Sequence, residues 1–133
     1  MLHVVAGIIE IDGYILLCQR HRDSARFPLK WEFPGGKVEM SESPEDAIKR
    51  ELKEELGIFV NTVEKIEEYS FSYGNEPDFR LHFFRILEFE NTPQNLQFET
   101  IAWLLHDNLL NYDLLEGDLP FVKRKYEGKK ARE

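Results

Sequence analysis

The sequence has little cysteine and few basic residues. Its 133 residues include one cysteine, Cys18, so an intramolecular disulfide is excluded and a reducing compartment is the expected setting. Acidic residues outnumber basic ones by 25 to 17, which gives a formal net charge of −8. Proteins that coat nucleic acid need a basic surface to displace counterions. The charge balance therefore argues against a nucleic-acid partner, whereas it suits a protein that clusters carboxylates around bound cations.

Long apolar runs and targeting signals are missing as well. No stretch approaches the roughly 18 apolar residues of a membrane-spanning helix, and Met1–Val5 contains no basic leader with a cleavage site. No repeat, low-complexity tract or linker divides the chain. We therefore expect a single domain over residues 1–133 that is cytoplasmic and has no membrane partner. The sequence leaves monomer and dimer open.

The apolar pattern predicts more strands than helices. Strands are expected at residues 2–11, 14–19, 63–73, 79–89 and 100–104. In the segment 31–36, one proline and two glycines are expected to interrupt regular structure. A short helix is expected to begin near Asp118 and Pro120 and to run through Lys125. Several strands flanked by two helices indicate an α+β fold, arranged as an α/β/α sandwich with a mixed β-sheet.

The clearest helix is expected at residues 44–56. Ser43 is a favourable N-cap, Pro44 suits the first helical position, and Gly57 suits a left-handed C-terminal stop. An apolar stripe for docking on a sheet recurs at helical spacing along it. That stripe consists of Ile48, Leu52 and Leu56.

Three glutamates share another face of this helix, because Glu51, Glu54 and Glu55 are spaced i, i+3 and i+4. Each exposed pair of like charges costs about a few tenths of a kcal/mol, and a divalent cation would turn this repulsion into attraction. Ligands that are all oxygen favour Mg²⁺, with Mn²⁺ as a substitute. Arg50 and Lys37 add positive charge suited to phosphates or to orienting a carboxylate. Taken alone, such glutamates are more often a solvated acidic face with i,i+4 lysine partners.

The wider spacing over residues 36–58 resembles the Nudix box and matches all nine of its specified positions. These positions are Gly36, Glu42, Arg50, Glu51, Leu52, Glu54, Glu55, Gly57 and Ile58. From average residue frequencies, chance agreement at a given start is on the order of one in a billion. The preceding residues 31–39 look like the segment that leads into the box in the MutT-like branch.

Resemblance to this family implies a Nudix-type α/β/α sandwich and a Mg²⁺-dependent pyrophosphohydrolase. The expected step is attack of a metal-activated water on the β-phosphorus of a nucleoside triphosphate, which releases nucleoside monophosphate and pyrophosphate. The resemblance assigns the metal ligands to Glu51, Glu54, Glu55 and the backbone carbonyl of Gly35. Glu42 and Arg50 are expected to support them, with Arg50 orienting Glu51. Lys37 is expected to contact the phosphates.

The general base is left open by the sequence. Glu51 and Glu54 are candidates on the helix. Glu99 is a third, because relatives supply one further carboxylate from a loop and Glu99 precedes the last predicted strand. The alternative for Glu99 is an exposed loop residue without a role in catalysis.

The base pocket lies outside the box. Asp118 resembles the position at which MutT-like proteins place Asn or Asp against the base edge, and an alternative is that it caps the last helix. Arg20 is a candidate for lining the nucleotide, or it is an ordinary loop arginine. Phe79 could stack on a base, together with Phe71 or Tyr73, or these rings could pack in the core.

The leading hypothesis is a (d)NTP pyrophosphohydrolase that acts on oxidised or modified nucleotides of the 8-oxo-dGTP type, or on CTP and modified dCTP. One alternative is a Nudix hydrolase of ADP-ribose or of dinucleoside polyphosphates. A third possibility, from a different class, is a nucleotide-binding module that has lost catalysis. Such a module need not keep the metal-binding glutamates, and this sequence keeps all of them.

Overall fold

A computed structural model describes residues 1–127, which form eight strands, two α-helices and two 3₁₀ helices. The strands are β1 (Leu2–Ile8), β2 (Glu10–Ile11), β3 (Tyr14–Gln19), β4 (Trp31–Glu32), β5 (Gly35–Lys37), β6 (Phe59–Phe71), β7 (Phe79–Glu90) and β8 (Thr100–Leu105). The helices are α1 (Pro44–Leu56) and α2 (Leu119–Tyr126), and the 3₁₀ helices span His106–Asn111 and Glu116–Asp118. None of the described helices is long and apolar enough to span a membrane.

The described residues fall into two compact units. The first unit comprises Met1–Ile9 and Pro34–Gln97, and the second comprises Glu10–Phe33 and the described residues from Phe98 onward. Each unit is discontinuous in sequence, so no single cut of the chain separates them. The expectation of one domain over residues 1–133 stays a prediction.

The first unit is a four-stranded sheet, in the order β5-β1-β7-β6, with α1 packed against it. Strands β1 and β7 run parallel, whereas β5 pairs with β1 and β6 pairs with β7 in antiparallel fashion. The sheet is therefore mixed, which confirms the predicted α+β class. The helix approaches β1 closely at Gly7, where an added Cβ would lie 3.2 Å from Leu52 Cδ1 and 3.3 Å from Ile48 Cδ1.

Helix α1 has the predicted bounds and both predicted caps. The backbone N–H of Asp46 donates to Ser43 Oγ over 3.1 Å. At the other end, Gly57 adopts φ 71° and its N–H donates to the Lys53 carbonyl. The predicted apolar stripe is fully buried, since Ile48, Leu52 and Leu56 are each 0% exposed. Burial of such a side chain contributes about 1.5–3 kcal/mol, so packing rather than propensity fixes the helix in place.

The second unit contains a smaller antiparallel sheet in which β3 pairs with β2, β4 and β8. Its Trp31 N–H donates to the Asp113 carbonyl, and the Leu115 N–H donates to the Trp31 carbonyl. The Trp31 and Tyr112 rings also meet edge to face, with 5.0 Å between centroids. Strand β4 is therefore anchored to the segment that leads into the second 3₁₀ helix and α2.

Some predicted boundaries are wrong. The strand expected at 2–11 is divided at Ile9 into β1 and β2, and β6 begins four residues before the predicted 63. Gly35 and Gly36 do not interrupt regular structure, because they form β5 on the edge of β1. Glycine is required at this edge, since a Cβ on Gly35 would lie 1.9 Å from the Val5 carbonyl oxygen.

Candidate active site

The Glu51 carboxylate lies directly over Gly36 in the first unit. An added Cβ on Gly36 would be 2.6 Å from both Cδ and Oε2 of Glu51. Strand β5 carries Gly36 and helix α1 carries Glu51, so the missing side chain creates the space that the carboxylate fills. The Glu51 side chain is 14% exposed. Burial raises the pKa of this carboxyl group, while hydrogen bonds and the nearby Arg50 charge oppose the rise.

Arg50 makes several of the polar contacts around the Glu51 carboxylate. Its Nε and Nη2 donate to the two oxygens of Glu42 over 2.7 and 3.0 Å. Its Nη1 donates to Glu51 Oε1 over 2.9 Å, and its Nη2 also donates to the Lys37 carbonyl over 3.0 Å. The hydrogen bonds from Arg50 lower the pKa of Glu42 to about 2, with help from the Glu39 N–H. The geometry is that expected of an arginine that orients Glu51.

The other two box glutamates differ in exposure. Glu55 is 3% exposed, and its carboxylate accepts from the Gly35 N–H over 3.1 Å and from Gln97 Nε2 over 3.2 Å. The Glu54 side chain is 56% exposed and touches Arg50 Nη1 at 3.4 Å. Gln97 was missed by the sequence analysis, because it lies outside the box and only its contact with Glu55 identifies it.

The second unit holds one buried carboxyl group, Asp118, and one partly buried one, Glu32. Asp118 is 4% exposed, and its Oδ2 accepts from the Phe33 N–H over 3.3 Å. Its side chain makes no capping hydrogen bond to α2, so the capping alternative is wrong. Burial and then the charge of Glu32 raise the pKa of Asp118 to about 8. Burial also raises the pKa of Glu32 to about 7, against the opposing effect of Arg20.

Arg20 is the direct partner of Glu32. Its Nη1 lies 3.3 Å from each Glu32 oxygen, and its Nε donates to the Arg26 carbonyl over 3.1 Å. Glu32 was not singled out from the sequence. The only sequence signal was its position in the Trp31–Phe33 segment that precedes the box.

Glu99 is held by Arg22 in the second unit. Its Oε1 accepts from the Arg22 backbone N–H and Nε, each over 3.1 Å, and its Oε2 accepts from Nη2 over 2.8 Å. These contacts lower the pKa of Glu99 to about 2. A carboxylate that stays ionised in this way suits an ion pair or a cation ligand better than a proton acceptor.

Comparison with known proteins decides the family. The family model described as "NUDIX domain" matches residues 1–125. The chain is 40% identical to the CTP pyrophosphohydrolase of Escherichia coli (strain K12) over 126 residues, which cover 92% of this chain and 90% of that protein. It is 32% identical to the 8-oxo-dGTP diphosphatase of the same strain over 103 residues, which cover 77% and 79%. The chain belongs to the Nudix family.

A solved structure agrees with this assignment. It comes from work on MutT of the fish pathogen Aliivibrio salmonicida and of Vibrio cholerae, and it superposes with a TM-score of 0.76 at 32% identity. The match covers 92% of this chain and 94% of that one. The predicted Nudix fold and the predicted MutT-like resemblance are therefore confirmed.

Nudix hydrolases use divalent metal ions, and the donor set of the box fits such an ion. Every side-chain donor in Glu51, Glu54 and Glu55 is an oxygen, which is the preference of a hard cation. Gly36 leaves a cradle in which the Glu51 carboxylate lies against the backbone. Within residues 1–127, however, no three His, Cys, Asp or Glu side chains converge into a ready-made cluster. Arg50, Gly35 and Gln97 instead engage the carboxylates of Glu51 and Glu55.

Among the described residues, the side chains of two predicted site residues of the first unit, Lys37 and Phe79, form no hydrogen bond or ion pair with the box glutamates. Lys37 has an exposed side chain, and only its carbonyl joins the Arg50 contacts. Phe79 pairs with Leu2, four residues along β1 from the Ala6 that pairs with Gly35, a separation of roughly 13 Å along the strand. Its ring stacks on Tyr73 with 5.4 Å between centroids. This arrangement favours the packing alternative for Phe79, whose base-binding role stays a prediction.

Proposed function

We propose that this Nudix protein hydrolyses nucleoside triphosphates to nucleoside monophosphates and pyrophosphate, with Mg²⁺ as its ion and Mn²⁺ as a substitute. The observation that carries this proposal is the position of the Glu51 carboxylate. It lies over Gly36 and is held by Arg50, within a complete Nudix box. The names of the related proteins, a CTP pyrophosphohydrolase and an 8-oxo-dGTP diphosphatase, support the same reaction class.

In this proposal Glu51, Glu54 and Glu55 hold the ion together with the Gly35 carbonyl. The bound ion supplies neutralisation of phosphate charge and a more acidic water. The side chains of the protein hold the ion ligands in position. Arg50 holds Glu51 in one orientation, and Glu42 restrains the Arg50 guanidinium through two hydrogen bonds. The Lys37 side chain is exposed and is available for phosphate oxygens.

Glu54 is the proposed general base. Its side chain is the most exposed of the three glutamates, and its contact with Arg50 is long at 3.4 Å. Glu51 and Glu55 are engaged in shorter hydrogen bonds, of 2.9 and 3.1 Å. The pKa of Glu99 is about 2, which makes it a poor acceptor of a proton from water. Glu99 keeps its proposed role as a further carboxylate supplied from a loop.

Asp118 is the proposed reader of the base edge, and Glu32 and Arg20 set its environment. A carboxyl group with a pKa of about 8 is mostly protonated at neutral pH, so it presents both a donor and an acceptor. Such a donor and acceptor can pair with the edge of a base, and cytosine and 8-oxoguanine are among the bases that present a matching edge. The proposed substrates are therefore 8-oxo-dGTP-type nucleotides, or CTP and modified dCTP. The corresponding role is clearance of unwanted nucleotides in the cytoplasm, which protects DNA.

The test is the substitution Glu54→Gln, with Glu45→Gln as the matched control on an exposed position of the same helix. We expect Glu54→Gln to lower kcat for pyrophosphate release in Mg²⁺ by about 100-fold or more, with little change in the free energy of unfolding. Glu45→Gln should leave kcat unchanged. Normal turnover by Glu54→Gln would overturn its assignment.

Substrate and product analysis tests the reaction itself. A panel of 8-oxo-dGTP, dGTP, CTP, dCTP, a 5-substituted dCTP and ADP-ribose should be ranked by kcat/KM, with and without EDTA. Pyrophosphate and a nucleoside monophosphate as products support the proposal. Preferred release of AMP and ribose phosphate would instead establish an ADP-ribose hydrolase. Binding of nucleotide without turnover would establish a non-catalytic module.

A further inference from the structure

A cleft opens in the first unit, beside a different face of α1 from the one that carries Glu51. It has a volume of about 570 Å³ and lies between α1, the start of β6 and the end of β7. This volume is within the range of roughly 300–1,000 Å³ that small-molecule sites occupy. The residues that matter for its chemistry are Lys49, Arg50, Lys53, Phe59, Asn61 and Glu90.

Cationic side chains outnumber acidic ones in the lining of the cleft, which has Lys49, Arg50 and Lys53 against Glu90. Lys49 and Lys53 are spaced i, i+4, so their side chains extend from the same face of α1. Within residues 1–127 neither of them forms an ion pair, although the whole chain has a net charge of −8. Lys49 and Lys53 outnumber the one lining carboxylate, Glu90, so the cleft favours an anion as its occupant. A phosphate group is large enough to accept hydrogen bonds from both lysines.

The cleft also offers an aromatic surface. Phe59 is 48% exposed at the start of β6, and Lys53 Nζ lies 5.2 Å from the centroid of its ring. This cation–π contact holds the ammonium group over one face of the ring, so a ligand ring would pack on the rest of its exposed surface. At the rim, Asn61 Nδ2 donates to Glu90 Oε2 over 3.4 Å, which adds polar atoms suited to the edge of a ring. The lining therefore combines a phosphate-binding end, a stacking surface and a polar edge.

This cleft is distinct from the metal-binding face of α1. At about 100° per residue, Lys49 and Lys53 each lie about 160° around the helix from Glu51. A ligand held by the two lysines therefore cannot be the ion-bound phosphate of the proposed reaction. Arg50 lines the cleft and also holds Glu42 and Glu51, so it connects the two sites.

We infer that this cleft is a second binding site, which takes a small phosphate monoester that carries an aromatic ring, the chemistry of a nucleoside monophosphate. Its phosphate contacts Lys49 and Lys53, and its ring packs on Phe59. The site goes beyond the proposed hydrolysis, because it uses the opposite face of the helix and needs no divalent ion.

The experiment is an NMR titration of the whole ¹⁵N-labelled protein in EDTA, so that binding does not depend on the ion site. The probes are CMP and GMP, with cytidine, ribose 5-phosphate and inorganic pyrophosphate as comparisons. We expect CMP or GMP to shift the amide signals of Lys53, Phe59 and Asn61 in a saturable manner. Cytidine lacks the phosphate, and the other two comparison compounds lack the ring, so each should bind about tenfold more weakly.

Substitutions of the lining residues distinguish binding in this cleft from binding of anions elsewhere on the protein. Lys49→Ala/Lys53→Ala should weaken CMP binding by about tenfold or more, and Phe59→Leu should remove the advantage of CMP over ribose 5-phosphate. Lys123→Ala, at an exposed position on α2, is the matched control and should bind normally. Shifts confined to residues 35–37, unchanged affinity of the double variant, or no saturable shift would overturn the inference. Turnover of Glu54→Gln is a separate readout, so failure of the proposed reaction remains distinguishable.

Discussion

The substitution Asp118→Asn should change how the stability of the protein depends on pH. Asp118 is buried, and its pKa is raised from 3.8 to about 8 by burial and by the charge of Glu32. Between these two pH values the folded protein keeps a proton that the unfolded chain has released. Linkage then requires the free energy of unfolding to fall as pH rises through this window, by about 1.4 kcal/mol per pH unit. Asparagine has no such proton, yet its oxygen can still accept from the Phe33 N–H.

The magnitude follows from the slope. From pH 5 to pH 7, the free energy of unfolding of wild type should fall by about 3 kcal/mol more than that of Asp118→Asn, because over these two pH units the folded protein holds one proton that the unfolded chain lacks. That is a large share of the roughly 5–15 kcal/mol by which proteins are stable. Glu32, whose pKa is raised to about 7, contributes a slope of the same sign to both proteins and therefore cancels in the comparison.

The assay is urea unfolding at pH 5, 6 and 7, followed by fluorescence, with the free energy of unfolding extrapolated to zero urea. The matched control is Asp107→Asn, at an exposed position in the 3₁₀ helix His106–Asn111. The control should remain parallel to wild type across this range. Parallel curves for wild type and Asp118→Asn would refute the inference that Asp118 is protonated in the folded protein.

Three further substitutions test the first unit. Gly36→Ala would bring a methyl group within 2.6 Å of the Glu51 carboxylate, so kcat should fall about tenfold or more. Normal turnover would show that the space over Gly36 is not needed for catalysis. Arg50→Lys keeps the charge but loses the two-point contact with Glu42, so we expect kcat to fall about tenfold with little change in KM. A kcat and KM equal to those of wild type would contradict the role of Arg50 in orienting Glu51. Leu52→Ala, at a fully buried position, should lower the free energy of unfolding by about 2–5 kcal/mol in urea, and a loss below about 1 kcal/mol would contradict its packing.

The sequence predicted the helix that carries the box because its signals are local. Ser43, Pro44 and Gly57 act within one turn of the helix ends, and the apolar stripe of α1 follows helical periodicity. The box spacing likewise identified the family, which the comparisons confirmed. These features could be predicted from the chain because each is contained within one continuous segment, residues 36–58.

Strand boundaries were predicted less well because pairing partners decide them. Strand β5 forms only where β1 supplies hydrogen bonds to Gly35 and Gly36, and the sequence signal there favoured an interruption. The early start of β6 at Phe59 similarly depends on pairing with Glu90 of β7. Such contacts join residues that are far apart in sequence, so local propensity does not determine them.

The candidate site shows the same division between sequence and tertiary structure. The sequence by itself determined the identities and the helical face of Glu51, Glu54 and Glu55, because a helix fixes the angle between its own residues. Only tertiary structure decided their environments, since Gly36 makes the seat for Glu51 and Gln97 meets Glu55 across 42 positions of sequence. The raised pKa values of Glu32 and Asp118 are also tertiary properties, because desolvation depends on what packs around a carboxyl group and not on its neighbours in sequence.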